Sequence, residues 1–178
     1  MAVLVEATSV IIRSDAIEER YLGGFDAFEA EIPNKTACSD GELVRVGFMV
    51  PADVESYIRR LSAKGLCYLA DGTAQDIVVV DQQSGPLVRC DWIEAERVSL
   101  DPEGTRTITI AQLVNSQVEG LATPEGWNYA ESLSRSFSFS ADVQNPSAGM
   151  RFLRHENGLD VYWDDLAAKE VFVGRSGG

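Results

Sequence analysis

Apolar and β-branched residues crowd the first dozen positions: Val3, Val5, Val10, Ile11 and Ile12, with a polar interruption from Glu6 to Ser9. Residues 2–13 therefore read as strand. A short helical stretch follows from Asp15 to Tyr21, with Asp15 placed to cap its first turn. Gly23-Gly24 breaks the chain. Phe25, Phe28 and Ile32 then fall at helical spacing before Pro33 stops the run, and residues 34–41 read as a polar loop.

The clearest pattern is Leu43–Val50, a strand that runs into Pro51 at a favoured first helical position. Beyond it, Val54, Tyr57, Ile58 and Leu61 recur at i, i+3, i+4 and i+7, one apolar stripe of an amphipathic helix. Lys64-Gly65-Leu66 reads as its glycine-terminated end. Strands are expected at 67–70, 76–80 and 88–94, separated by Asp71-Gly72 and Gln83-Ser84-Gly85-Pro86. Ile77-Val78-Val79-Val80 does not alternate, so it should be covered on both faces.

After the turn Asp101-Pro102-Glu103-Gly104, residues 105–114 alternate as a strand, and 119–129 are irregular. Leu133 to Phe139 alternates with Ser132, Ser134, Ser136, Ser138 and Ser140, a pattern that predicts a half-buried strand. Asn157-Gly158 between apolar runs predicts a hairpin, and Glu170–Val173 a last strand. The expected fold class is α+β: a mostly antiparallel sheet with one long amphipathic helix, built on a β-α-β-β-β module at about 42–97 and followed by a C-terminal β-meander. The 178 residues fit a single domain, with sub-halves at 1–100 and 105–175.

Composition narrows the functional classes. A net charge of −13 makes direct nucleic-acid binding unexpected, because phosphate backbones attract basic faces. No stretch approaches the ~20 apolar residues of a membrane span, and the N-terminus lacks a basic and then apolar leader, which points to the cytosol. Cys38, Cys67 and Cys90 are odd in number and unpaired in spacing, so neither a disulfide framework nor a zinc site is expected. Phosphate-binding glycine loops, zinc-helix motifs, calcium loops and nucleophile elbows are all missing. Asn34-Lys35-Thr36 matches a glycosylation sequon by chance, and Gly177-Gly178 reads as a frayed end.

The module at 42–97 resembles one module of the vicinal oxygen chelate (glyoxalase-like) superfamily in its element order, over about a third of the chain. That resemblance implies a half-barrel of sheet carrying ligands on its strands, with His and Glu around a metal in catalytic members. This stretch holds no His; Glu42, Asp76, Asp81, Asp91, Glu94 and Glu96 would be the ligands, and oxygen donors favour Mg²⁺, Ca²⁺ or Mn²⁺.

Chemistry-bearing residues are sparse. The chain has a single histidine, His155, flanked by Arg154 and Glu156 beside the predicted hairpin turn. Cys90-Asp91-Trp92 sets an acid beside an aromatic ring. Asp91, Trp92, Arg154 and His155 are thus the candidate ligand-binding residues, with no catalytic residue, metal ligand or cofactor assigned. Arg154 and Glu156 share a strand face and are expected to form an exposed ion pair, whereas Asp160, Asp164 and Asp165 could gather a cation or equally form a solvated turn. The expected function is a non-enzymatic module that binds a protein or a small molecule. The alternatives are a small-molecule or metal-dependent enzyme on the glyoxalase-like half-barrel, and an acidic, immunity-like inhibitor of a basic partner.

Overall fold

The N-terminal apolar run divides into two strands that enter different sheets, β1 (Ala2–Val5) and β2 (Thr8–Arg13). Ala7 between them has φ 51°, a left-handed turn in the backbone. Gln82 holds that turn from both sides: Ala7 N–H donates to Gln82 Oε1 at 2.8 Å, and Gln82 N–H donates to Ala7 O at 2.9 Å. The computed structural model describes residues 1–117, 119–135, 150–156, 159–164 and 169–174.

Helices α1 (Ser14–Arg20) and α2 (Gly24–Ala30) follow, separated where Gly23 takes φ 94°. A two-residue strand, β3 (Cys38–Ser39), lies inside the expected loop and pairs with β4 (Leu43–Phe48). Pro51 opens α3 (Pro51–Ala63), whose N–H-free first residue costs the helix no hydrogen bond. Its end is a Schellman closure: Leu66 N–H donates to Leu61 O at 3.2 Å, and Gly65 N–H to Ser62 O at 3.1 Å. Gly65 has φ +109°, and a Cβ there would stand 2.3 Å from the Arg20 carbonyl oxygen, so both backbone and space demand glycine.

β5 (Leu69–Ala70) and β6 (Thr73–Ala74) form a small ladder, followed by β7 (Ile77–Asp81) and β8 (Gly85–Pro86). The first main sheet has the order β3-β4-β2-β7-β8, all antiparallel. One face carries Val10, Ile12, Val44, Val46, Ile77 and Val79 under Ile17, Phe28, Val54, Tyr57 and Leu61 of the three helices. The other carries Ile11, Leu43, Val78 and Val80 against Val3, Val5, Ile93 and Ala111 of a second sheet. Ile77–Val80 is covered on both faces, as its unbroken apolar run requires.

The second sheet, ordered β11-β1-β10-β9, consists of β9 (Ile93–Ser99), β10 (Thr107–Leu113), β11 (Leu121–Ala122) and β1. Its far face buries Ala2, Leu4, Ile108 and Ile110 beneath Leu121, Trp127 and Tyr129. A 3₁₀ turn at Tyr129–Glu131 follows, then the antiparallel meander β12 (Met150–Glu156), β13 (Leu159–Asp164) and β14 (Lys169–Gly174). The α+β class and the C-terminal meander therefore stand.

Several expectations are corrected. Residues 42–97 do not make a sheet of their own: β2 lies between β4 and β7, and β9 leaves for the second sheet. The half-barrel implied by the glyoxalase-like order is not built, because β2, from outside this stretch, takes the central position. The strand expected at 88–94 begins only at Ile93, since residues ahead of it are engaged elsewhere: Arg89 O accepts from Ala74 N–H, and the Trp92 indole N–H donates to Ala74 O. Leu133 to Arg135 are helical rather than extended, with Ser132 Oγ accepting the Arg135 N–H as a cap. Residues 136–139, Asn157-Gly158, Asp165 and Gly177-Gly178 lie outside the described residues.

Two core tyrosines, Tyr21 and Tyr57, set an alkaline limit on stability. Burial, reinforced by its hydrogen bond to Glu31, pushes the Tyr21 phenol up to about 12, and burial raises Tyr57 as well. The unfolded chain ionises near pH 10 while the folded chain holds its phenolic protons. This contribution is complete below pH ~10 and is lost as pH climbs towards ~12. Urea midpoints are expected to fall over that window, and Tyr21→Phe should make the fall shallower. A flat profile would contradict the burial of these two tyrosines.

Candidate functional site

Strand β4 alternates between two environments. Val44, Val46 and Phe48 enter the helix-covered core, whereas Leu43, Arg45 and Gly47 occupy the opposite face. Arg45 is thus a cation inside the protein, only 3% exposed. Its Nε donates to Ser9 Oγ at 2.9 Å, Nη1 to Thr36 O at 2.9 Å and Nη2 to Glu6 O at 2.8 Å. Space comes from Gly47, two residues along the strand, where a Cβ would stand 2.4 Å from Nη2. Burial pulls Arg45 below the ordinary arginine range, with the charge of Glu6 acting in the opposite direction. Among the described residues Arg45 belongs to no ion pair.

Glu6 precedes the left-handed turn at Ala7 and is 8% exposed. One carboxylate oxygen, Oε1, accepts from the Trp127 indole N–H at 3.0 Å, from Ser134 N–H at 3.1 Å and from Ser134 Oγ at 2.7 Å. The other, Oε2, accepts no hydrogen bond from a described residue. Residues 127–134 are therefore fastened onto the sheet seam by a charged acceptor, a strong type of hydrogen bond.

These two groups lie on the floor of a cleft of about 720 Å³. One wall is the turn at 34–36, tied down because Asn34 Nδ2 donates to Gly47 O at 2.9 Å and Gly47 N–H donates to Thr36 Oγ1 at 2.7 Å. The other wall is residues 124–133, including Trp127. Asp53, Glu125 and Glu131 add carboxylates at exposed positions, and Lys35 adds a cation. A smaller cavity of about 470 Å³ shares Asn34, Phe48 and Asp53 and continues past Tyr57 to Arg60.

The residues singled out from sequence lie elsewhere. Asp91 is exposed and pairs with Arg89 at 3.1 Å. Trp92 is a strut: besides its bond to Ala74 O, it packs on the inter-sheet core beneath the Arg13 guanidinium, 5.9 Å from the ring centroid. Neither is among the described residues of the cleft. Arg154 is exposed on β12 opposite Val161, and the His155 backbone stands opposite Asp160; the His155 side chain lies outside the described residues. Cys38 is buried, Cys67 exposed and Cys90 half-buried, and all three are free thiols. Among the described residues no three His, Cys, Asp or Glu converge as they would around a metal ion, and no helix is long and apolar enough to cross a membrane.

Glu6, Arg45 and Trp127 were not singled out from sequence. Arg45 carried a usable signal, a lone charge inside an apolar strand with glycine two residues on. Comparison with protein-family models, with curated proteins and with solved structures finds no match.

Proposed function

We propose that this chain is a non-enzymatic binding module whose ligand occupies the cleft above Arg45 and Glu6. The supporting observation is the floor itself, where two deeply buried opposite charges are each anchored by neutral groups and form no ion pair with one another. Side chains held so firmly provide preorganised donors and acceptors, which lowers the cost of ordering a ligand. Three free thiols suit a reducing, cytosolic setting. The rim carboxylates and the net charge of −13 favour a second reading of the same cleft, in which it receives a basic side chain of a partner protein.

A thermal-shift panel of charged metabolites, divalent-metal chlorides and lysine-rich peptides separates these outcomes. A compound that raises Tm is expected to lose most of its effect in an Asp53→Arg, Glu125→Arg double variant, whose changes sit at exposed rim positions. Mass spectrometry should recover the compound unchanged. Turnover of a panel compound, or full stabilisation retained by the double variant, would contradict the proposal.

A further inference from the structure

We infer that the cleft takes the zwitterionic head of an α-amino acid, its carboxylate on Arg45 and its ammonium on Glu6. The inference rests on the reading of the cleft as a binding site and names the class of ligand. A guanidinium has five N–H donors, and Arg45 spends three of them on Ser9, Thr36 and Glu6 carbonyl and hydroxyl oxygens. One N–H on each terminal nitrogen is left. Glu6 is complementary: Oε1 is saturated by three donors, and Oε2 accepts from none of the described residues.

Buried charges ordinarily close on a partner, because leaving one uncompensated is costly. Here they do not. Gly47 and Thr36 fix the guanidinium on one side, Trp127 and Ser134 fix the carboxylate on the other, and no N–O approach within 4 Å joins them. A lone anion would satisfy Arg45 and be repelled by Glu6; a lone cation would do the reverse. A group carrying both charges one carbon apart offers a counter-charge to each. Beyond the head, Met49 and Trp127 line the cleft with apolar surface, and about 720 Å³ leaves room for the side chain.

The test is calorimetric titration of the full chain with L-leucine, with L-leucinamide, which keeps only the ammonium, and with 4-methylpentanoate, which keeps only the carboxylate. A thermal-shift scan of the twenty common α-amino acids comes first; a stronger ligand replaces leucine together with its own two analogues. The zwitterion is expected to bind about 10- to 100-fold tighter than either analogue, the range set by one charged hydrogen-bonded contact. In Glu6→Gln the advantage over the carboxylate-only analogue should vanish while the advantage over the amide persists. Should Glu6→Gln fail to fold, the analogue series in the natural chain decides the matter alone. Equal binding of zwitterion and analogue, or no saturable binding by any of the twenty, overturns the inference. If a different panel compound still binds and the rim variant abolishes its effect, the cleft reading stands and only the zwitterion falls.

Discussion

Arg45→Ala is expected to lower stability by about 2–4 kcal/mol, and Gly47→Ala by a similar amount through the same guanidinium. Removing the Arg45 side chain takes three charged hydrogen bonds from buried or part-buried acceptors, at roughly 1.5–3 kcal/mol each before relief of the buried charge is subtracted. Gly47→Ala acts differently. Its new methyl would stand 2.4 Å from Nη2 and 2.8 Å from Cζ, so the guanidinium must move and surrender those bonds. With Arg45 already alanine, nothing occupies that space, and the methyl should cost less than ~1 kcal/mol. Urea unfolding of the four proteins should therefore show a coupling of about 1–3 kcal/mol. Additive costs would mean that Gly47 does not make room for Arg45.

Leu61→Ala should cost about 2–5 kcal/mol, the range for a buried leucine truncated in a packed core. Leu61 is 1% exposed and joins the cluster in which α3 covers the first sheet. Arg59, on the outer face of the same helix, should be replaceable by alanine within ~0.5 kcal/mol. Equal urea midpoints for the two variants would mean the helix presents another face.

Helix α3 was legible because everything that specifies it is local: Pro51 at the start, the apolar stripe, and Gly65 at the close. The central place of β2 was not legible. Its run of Val10, Ile11 and Ile12 predicts a strand, but strand order is decided by pairings some 35 residues away with β4 and 70 with β7. The turn that separates β1 from β2 falls on Ala7, a residue that carries no turn signal, and its anchor, Gln82, is equally remote. Ser132–Ser134 misled for a related reason. Alternating serines suggest a strand face, yet Ser132 caps a helical turn and Ser134 binds Glu6 across most of the described chain.

The candidate site was the least legible part. Adjacent polar and aromatic residues drew attention to Asp91, Trp92, Arg154 and His155, whereas the cleft brings together Glu6, Arg45 and Trp127 from three distant segments. A lone arginine in an apolar strand is ambiguous until the Gly47 notch and its acceptors are known. Glu6 in a polar interruption looks solvated until Trp127 and Ser134 are folded over it.

Amide chemical-shift mapping of the isotope-labelled chain, saturated with the panel compound that most raises Tm, addresses the cleft directly. The largest changes are expected at residues 6–7, 34–36, 45–49 and 124–134. Changes centred on Asp91 and Trp92, with the cleft amides unmoved, would contradict the assignment of the binding site to Arg45 and Glu6.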